Sequence, residues 1–547
     1  MFSSEFKFYL LLPLLFLVAF FFPRWGRGLF GRVEPLFSRL AHRPWLAVAV
    51  VGLVGLVAGA VPALIRMPAP KIHDEFSYLL AADTFAHGRL TNPTPPFWEH
   101  FESIHIIMRP TYNSKYPPGQ GALLAVGEIL GHPILGVWFG LALASAAVCW
   151  MLQAWLPPRW ALLGGLLIAL HPQIITWGYN YCGGAVATIG GALLARGMRR
   201  IVETAREGAW SLGAGLFILA NSRPYEGLVT SLFVVGAGIF LIVRAGREAV
   251  LKTVRQYGVP LALSAIIIVT VVGFYNYRVT GSPTEMPYAV HVQEYMIAPI
   301  FLGQSFRPEP VYRNREIREF HTNWEVDLMG SRKGLIGNLL LKINAQTQGW
   351  LWMGLWIPPL IVLPWRARRD RWLGVAILCL GGLFAGLLIG PGIFPHYAAP
   401  GVALYIFVVV EGLRQLCLWR PEQGTGKSFV RWLCLLCVLT VPVVWGRLLS
   451  KNAEGWFRDR ERVLAQFEAM PGKQLVFMRY STDHNPNREW VFNEADIQNS
   501  KVLWSREMTP ETDRQVIDFY RGRTVWLVEP DKPHPEPVPY FPKVSSS

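Results

Sequence analysis

Residues 71–120, KIHDEFSYLLAADTFAHGRLTNPTPPFWEHFESIHIIMRPTYNSKYPPGQ, form a polar island between apolar runs. The island opens on adjacent carboxylates, Asp74 and Glu75, and closes on Lys115-Tyr116-Pro117-Pro118. Before it, Leu46–Leu64 carries no charge, and neither does Tyr9–Phe22. A spanning helix needs about 20 mostly apolar residues, so a polar stretch hung between such runs reads as a loop at a membrane face. Over the whole chain, 52% hydrophobic and 16% charged residues in 547 are too apolar for a soluble protein of this size.

Outward from the island, apolar segments are expected near 8–23, 45–65, 133–156, 160–178, 181–198, 209–222, 226–243, 257–277, 348–364, 371–391, 397–415 and 432–449. The fold class is therefore an α-helical multi-pass membrane protein with about 11–12 spans. The net charge of +15 does not point to nucleic acid. The basic residues sit between apolar runs, in Arg24–Arg43, Arg196–Arg200, Arg244–Arg255, Arg366–Arg371 and Arg414–Arg431, as the positive-inside rule requires. That alternation puts 66–132, 278–347 and the chain from 450 onward on the opposite, external face. The first apolar run has neither a strong basic lead nor a small-residue cleavage site, so it reads as a helix and not a signal peptide.

The domains expected are an extra helix with an arginine-rich loop (1–44), a transmembrane domain (45–449), a small external α/β domain (450–530) and a proline-rich end (531–547), extended or disordered. In the third, Gln474–Tyr480, Lys501–Ser505 and Arg523–Glu529 read as strands. Thr509-Pro510 starts a helix that runs through Tyr520.

Six cysteines, mostly within apolar segments, indicate no disulfide framework, and the Cys434/Cys437 pair lies in a membrane helix. Gly424-Thr425-Gly426-Lys427-Ser428 has half of a phosphate-loop pattern, but Pro421 stands where its first glycine belongs and no strand precedes it. His100, Glu102 and His105 invite a metal assignment that their spacing does not support.

Asp74 can be a helix cap or a general base whose pKa rises against apolar surface. Lys115, stiffened by the prolines after it, can snorkel or neutralise a phosphate. Arg223, beside Glu226, and His396-Tyr397 stand at further membrane-edge positions.

An Asp-Glu pair in the first external loop, a downstream Lys-Tyr-Pro-Pro-Gly and a late His-Tyr-x-x-Pro resemble the GT-C glycosyltransferases. The nearest resemblance is to the bacterial protein-mannosyltransferase and aminoarabinose-transferase group, over residues 45–415. The resemblance implies a bacterial inner-membrane enzyme that moves a sugar, with inversion, from a polyprenyl-phosphate donor to an external glycan, lipid or protein. It implies Asp74 as base, with Glu75 orienting it or meeting the acceptor. Lys115 and Tyr116 would lie at the donor phosphate, with Arg223, His396 and Tyr397 beside them. No cofactor is implied as required, and a divalent metal is left open. The competing classes are a transporter or flippase for a lipid-linked glycan and a non-catalytic scaffold. A transporter calls for midplane charges and inverted repeats; neither is visible here.

Overall fold

The structure is a computed structural model that describes residues 8–328, 334–367, 370–390 and 394–541. Arg368 and Arg369 of the expected basic loop, Pro391 at the end of an expected span and 542–547 of the proline-rich end lie outside the described residues.

Among the described residues seven helices are long and apolar enough to cross a membrane. Apolar helices of 10–17 residues, including Leu12–Phe21, Pro158–Ala169 and Gly208–Ala220, add to them. The chain opens with α1 (Leu12–Phe21), the amphipathic α2 (Arg27–Ala41) and the fully apolar α3 (Pro44–Ile65). Next come α4 (His73–Ala86), α5 (Pro118–Ile129) and α6 (Pro133–Trp155). Each of α3, α5 and α6 starts on a proline, whose missing N–H costs nothing in a first turn. On α3, a Cβ at Gly55 would stand 2.3 Å from Ser145 Oγ, so glycine is what lets α3 and α6 approach this closely.

Two expected spans are broken. The one at 160–178 is two helices, Pro158–Ala169 and Pro172–Trp177, because Pro172 cannot donate to the turn before it. The one at 348–364 is a run of short pieces, with Trp352 and Met353 at positive φ and Pro358-Pro359 unable to carry a helix ladder. Trp352 spends its indole N–H on Thr440 Oγ1 at 2.9 Å and packs against His171 and Trp356.

Between α4 and α5 a small antiparallel sheet of β1 (Asn92–Pro93), β2 (Ile106–Ile107) and β3 (Thr111–Ser114) runs in the order β1-β3-β2. The C-terminal sheet has β4 (Lys473–Met478), β5 (Val502–Arg506), β6 (Arg523–Val528) and β7 (Val538–Pro539) in the order β5-β4-β6-β7. Its first three strands are parallel and β7 is antiparallel. Helix Pro510–Phe519 starts on the Thr509 cap, as the sequence predicts, and packs on the Leu475, Phe477 and Leu503 face of the sheet, while helix Trp456–Ala469 packs on the opposite face, against Val476, Met478 and Trp504. The proline-rich end runs extended where the structure describes it. Through Tyr540 it folds back as β7, Tyr540 hydrogen-bonding Asp513 at 2.7 Å and Arg462 meeting Glu536 at 2.5 Å.

This C-terminal domain is bound tightly to the polar island. Phe492 stacks on Phe76 of α4 with ring centroids 3.8 Å apart, and Ala495 N donates to Asp83 Oδ2 at 2.6 Å. Arg506, fully buried, joins Glu489 in its own domain to Glu316 (3.2 Å) in the segment after residue 278.

Candidate active site

The first turn of α4 separates the two adjacent carboxylates. Neighbouring residues on a helix point about 100° apart, so Asp74 and Glu75 face different surroundings. Glu75 turns back to cap the helix: its carboxylate accepts from Lys71 N (2.9 Å), Ile72 N (3.2 Å) and Tyr181 N (3.1 Å). Burial pushes its carboxyl upward against those N–H donors. Glu75 is the cap and is occupied by backbone, while Asp74, read as a candidate cap, is not one.

Asp74 instead meets two side chains from the far part of the loop. His105 Nδ1 lies 2.6 Å from Asp74 Oδ1, and the Tyr116 hydroxyl donates to the same oxygen. Oδ2 has no partner among the described residues, and the side chain keeps 30% of its surface accessible. Burial acts to raise this carboxyl, but the His105 and Tyr116 hydrogen bonds and the positive field of Lys115 outweigh it and hold it well below the usual carboxylate range. The sequence-based expectation of a raised pKa is therefore overturned.

His105 is held in place by its backbone. Its φ is +66°, uncommon for a residue other than glycine. Its carbonyl accepts from Ser77 Oγ at 2.7 Å and from Lys115 N at 3.3 Å. Burial and the nearby Lys115 cation lower its pKa to about 4, so the imidazole is neutral and presents Nδ1–H to Asp74.

Lys115 is buried, 3% exposed, with its ammonium over the rings of Tyr116 (5.4 Å) and Tyr288 (5.2 Å). Burial lowers it to about 8 despite the carboxylates of Glu325 and Asp74. Arg223 lies over the Tyr397 ring at 4.7 Å, within electrostatic reach of Tyr78, Glu226 and Tyr116. Tyr78 in turn stacks on Tyr116 at 4.5 Å, and His396 stacks on Tyr397 at 4.8 Å. Asp74, Lys115, Tyr116, Arg223, His396 and Tyr397 thus belong to one connected site. Glu75 adjoins it without facing it.

Behind Asp74 the structure brings together residues that sequence reasoning missed. The ring centroids of His73 and His105, His105 and His291, and His291 and His321 are 5.8, 5.8 and 5.5 Å apart. His321, inside a π-turn at Phe320–Trp324, bonds Glu325 at 2.8 Å. Burial holds His73 and His291 well below the ordinary histidine pKa, and among the described residues neither has a ring-nitrogen partner. His321 and Glu325, one helical turn apart, were the legible signal in the sequence. His73 stands directly before the carboxylate pair.

The trio considered for a metal disperses. His100 bonds the Arg506 carbonyl, Glu102 bonds Tyr295 and Asn314, and His105 bonds Asp74. Among the described residues no group of three or more His, Cys, Asp or Glu is arranged to hold a metal ion.

No family model and no curated protein matches the sequence. Solved structures are similar in overall shape. ArnT from Cupriavidus metallidurans bound to undecaprenyl phosphate is 13% identical with a TM-score of 0.48, covering 88% of this chain and 92% of that one. Its apo state is 14% identical with the same score and coverage. The archaeal oligosaccharyltransferase AglB from Archaeoglobus fulgidus, in complex with an inhibitory peptide and a dolichol-phosphate, is 11% identical with a TM-score of 0.42, over 88% of this chain and 69% of that one. The likeness is one of shape, so the chemistry of this site is argued from its own residues.

Proposed function

We propose that this chain is a membrane glycosyltransferase that moves a sugar from a polyprenyl-phosphate donor to an acceptor hydroxyl at the face of the bilayer that carries Asp74. The observation that carries the proposal is the asymmetry of the Asp74 carboxylate: among the described residues two donors fall on Oδ1 and none on Oδ2, with the Lys115 and Arg223 cations in the same site.

In this mechanism Oδ2 accepts the proton of the acceptor hydroxyl as its oxygen bonds to the anomeric carbon. The bond from that carbon to the phosphate oxygen breaks, and the electron pair leaves with the polyprenyl phosphate. One displacement gives inversion. His105 and Tyr116 keep the carboxylate turned towards the acceptor. Lys115 and Arg223 face the charge that grows on the leaving phosphate, where fixed cations in a water-poor site act strongly. Tyr78, Tyr116 and Tyr397 supply flat surfaces for a sugar, and His396 a hydrogen-bonding edge. The phosphodiester is already activated, so no nucleotide is needed. The acceptor is an envelope glycan, lipid or protein.

The test is mass spectrometry of envelope glycans and glycolipids from a strain lacking the protein, beside a strain carrying Asp74→Asn. Loss of the same sugar in both supports the proposal. Its persistence in the Asp74→Asn strain removes Asp74 as base. If the lipid-linked sugar never reaches the outer leaflet in the deletion strain, a flippase replaces the transferase.

A further inference from the structure

Away from Asp74 in the chain, the turn after α1, the start of α2 and the segment around Glu422 line an open surface cavity of about 890 Å³. Its walls are graded. Val18, Phe21 and Phe22 form an apolar side, while Arg24 and Arg27 form a cationic rim that also includes Glu422. Neither arginine has an ion-pair partner among the described residues, and the acid nearest along the chain, Glu34, is held by Arg431 at 2.5 Å and Lys427 at 3.7 Å. Two guanidinium groups thus face one carboxylate across this opening.

The surroundings place the cavity at the depth of lipid headgroups. Trp25 is 59% exposed and stacks on Trp432 at 4.8 Å, as aromatic residues do at a membrane boundary. Leu29, Val33 and Leu36 are exposed and fall on one stripe of α2, with Arg27 before them, Arg32 among them and Arg39 after them in the sequence. A basic amphipathic helix of this kind lies in the interface, with its apolar stripe among the acyl chains. A cavity whose walls pass from phenyl rings to guanidinium groups over a few ångströms matches a molecule that passes from hydrocarbon to phosphate.

We propose that this cavity binds a lipid phosphate, that of an acidic glycerophospholipid in the leaflet at the arginine-rich face. The phosphate sits between Arg24 and Arg27, and the acyl chains run along Phe21 and Phe22. The site is separate from the transfer centre, so its readout does not depend on the proposed reaction.

The test uses the full chain in detergent, with native mass spectrometry of bound lipid during titration by phosphatidylglycerol, phosphatidylcholine or undecaprenyl phosphate. Phosphatidylglycerol is expected to bind in preference to phosphatidylcholine. Its apparent affinity should fall on the order of fivefold for each arginine removed, in R24Q, R27Q and the double variant. The R24K/R27K pair should retain binding, because lysine still presents a point charge to phosphate. Equal binding of the two phospholipids, unchanged affinity in R24Q/R27Q, or loss in the lysine pair would each overturn the proposal. So would undecaprenyl phosphate displacing phosphatidylglycerol at lower concentration, which would make this a second donor-lipid site.

Discussion

The two ends of α3 handle charge in opposite ways. Beyond Ile65, at the polar island, ionisable groups are enclosed and interlocked: Asp74 with His105 and Tyr116, Glu75 with three backbone N–H groups, Arg506 with Glu489 and Glu316. Before Pro44, Arg24 and Arg27 stand at an open cavity with no ion-pair partner among the described residues. Enclosing charges costs several kcal/mol per ion unless each is paired, so the first end spends stability to fix geometry. The second spends little and attracts anions through field alone. The difference is one of ionisable groups locked into a fixed geometry against cations left open to the surroundings.

The contrast can be broken most directly at Asp74. Asp74→Asn keeps the shape and the Tyr116 neighbour but removes the charge and the base. A fall in kcat/KM of about 10²–10⁴ is expected, together with a lower unfolding midpoint, because the charged carboxylate that His105, Tyr116 and Lys115 stabilise is lost. A wild-type rate would place the chemistry elsewhere.

Next in size is Arg506→Leu, which leaves Glu489 buried without its cation. About 3–5 kcal/mol of stability should be lost, read as a lower unfolding midpoint in detergent. Because this arginine ties the C-terminal domain to the segment that carries His321 and Glu325, turnover should fall with it.

The imidazole cluster gives a pH test. His73, His105 and His291 titrate below the ordinary value of about 6.5 in the fold, to about 4 for His105. Above pH 6.5 both folded and unfolded states are neutral, and the cluster costs nothing. Below it the unfolded chain binds protons first, so stability falls with falling pH. The slope is about 1.4 kcal/mol per unit for each histidine until the folded pKa is reached. Unfolding midpoints measured between pH 7 and 5 check this; a flat profile would mean that these rings are not desolvated. On the alkaline side, Lys115 at about 8 predicts that kcat/KM falls as pH rises through that value, as the cation facing the phosphate is lost.

The smallest effect is expected at the opposite end. Arg32→Gln, on exposed α2, should change stability by no more than about 0.5 kcal/mol and leave transfer as it was. A large loss of turnover there would erase the distinction between the two ends.

Much of this was legible in the sequence. Runs such as Leu46–Leu64 announce helices through composition alone, and the strands and the Thr509 cap of the C-terminal domain follow from local pattern. Two spans were misjudged because apolar composition says nothing of continuity: Pro172 and Pro358-Pro359 break what hydropathy joins. In the site, Asp74, Lys115, Tyr116, Arg223, His396 and Tyr397 were named from position. His105 was weighed only as a metal ligand, and His73, His291, His321 and Glu325 were not singled out, since they come from three segments with no shared motif.

The sequence by itself determined that the chain is a bundle of membrane helices interrupted by a polar island with a carboxylate pair and a lysine. Those are properties of composition and period, which act within a turn or two of chain. Only the tertiary structure decided which of the two carboxylates is free. One step along a helix turned Glu75 onto backbone N–H groups and Asp74 towards His105, 31 residues away. It also decided that the C-terminal domain holds α4 through Phe492, a contact between residues that no local pattern relates.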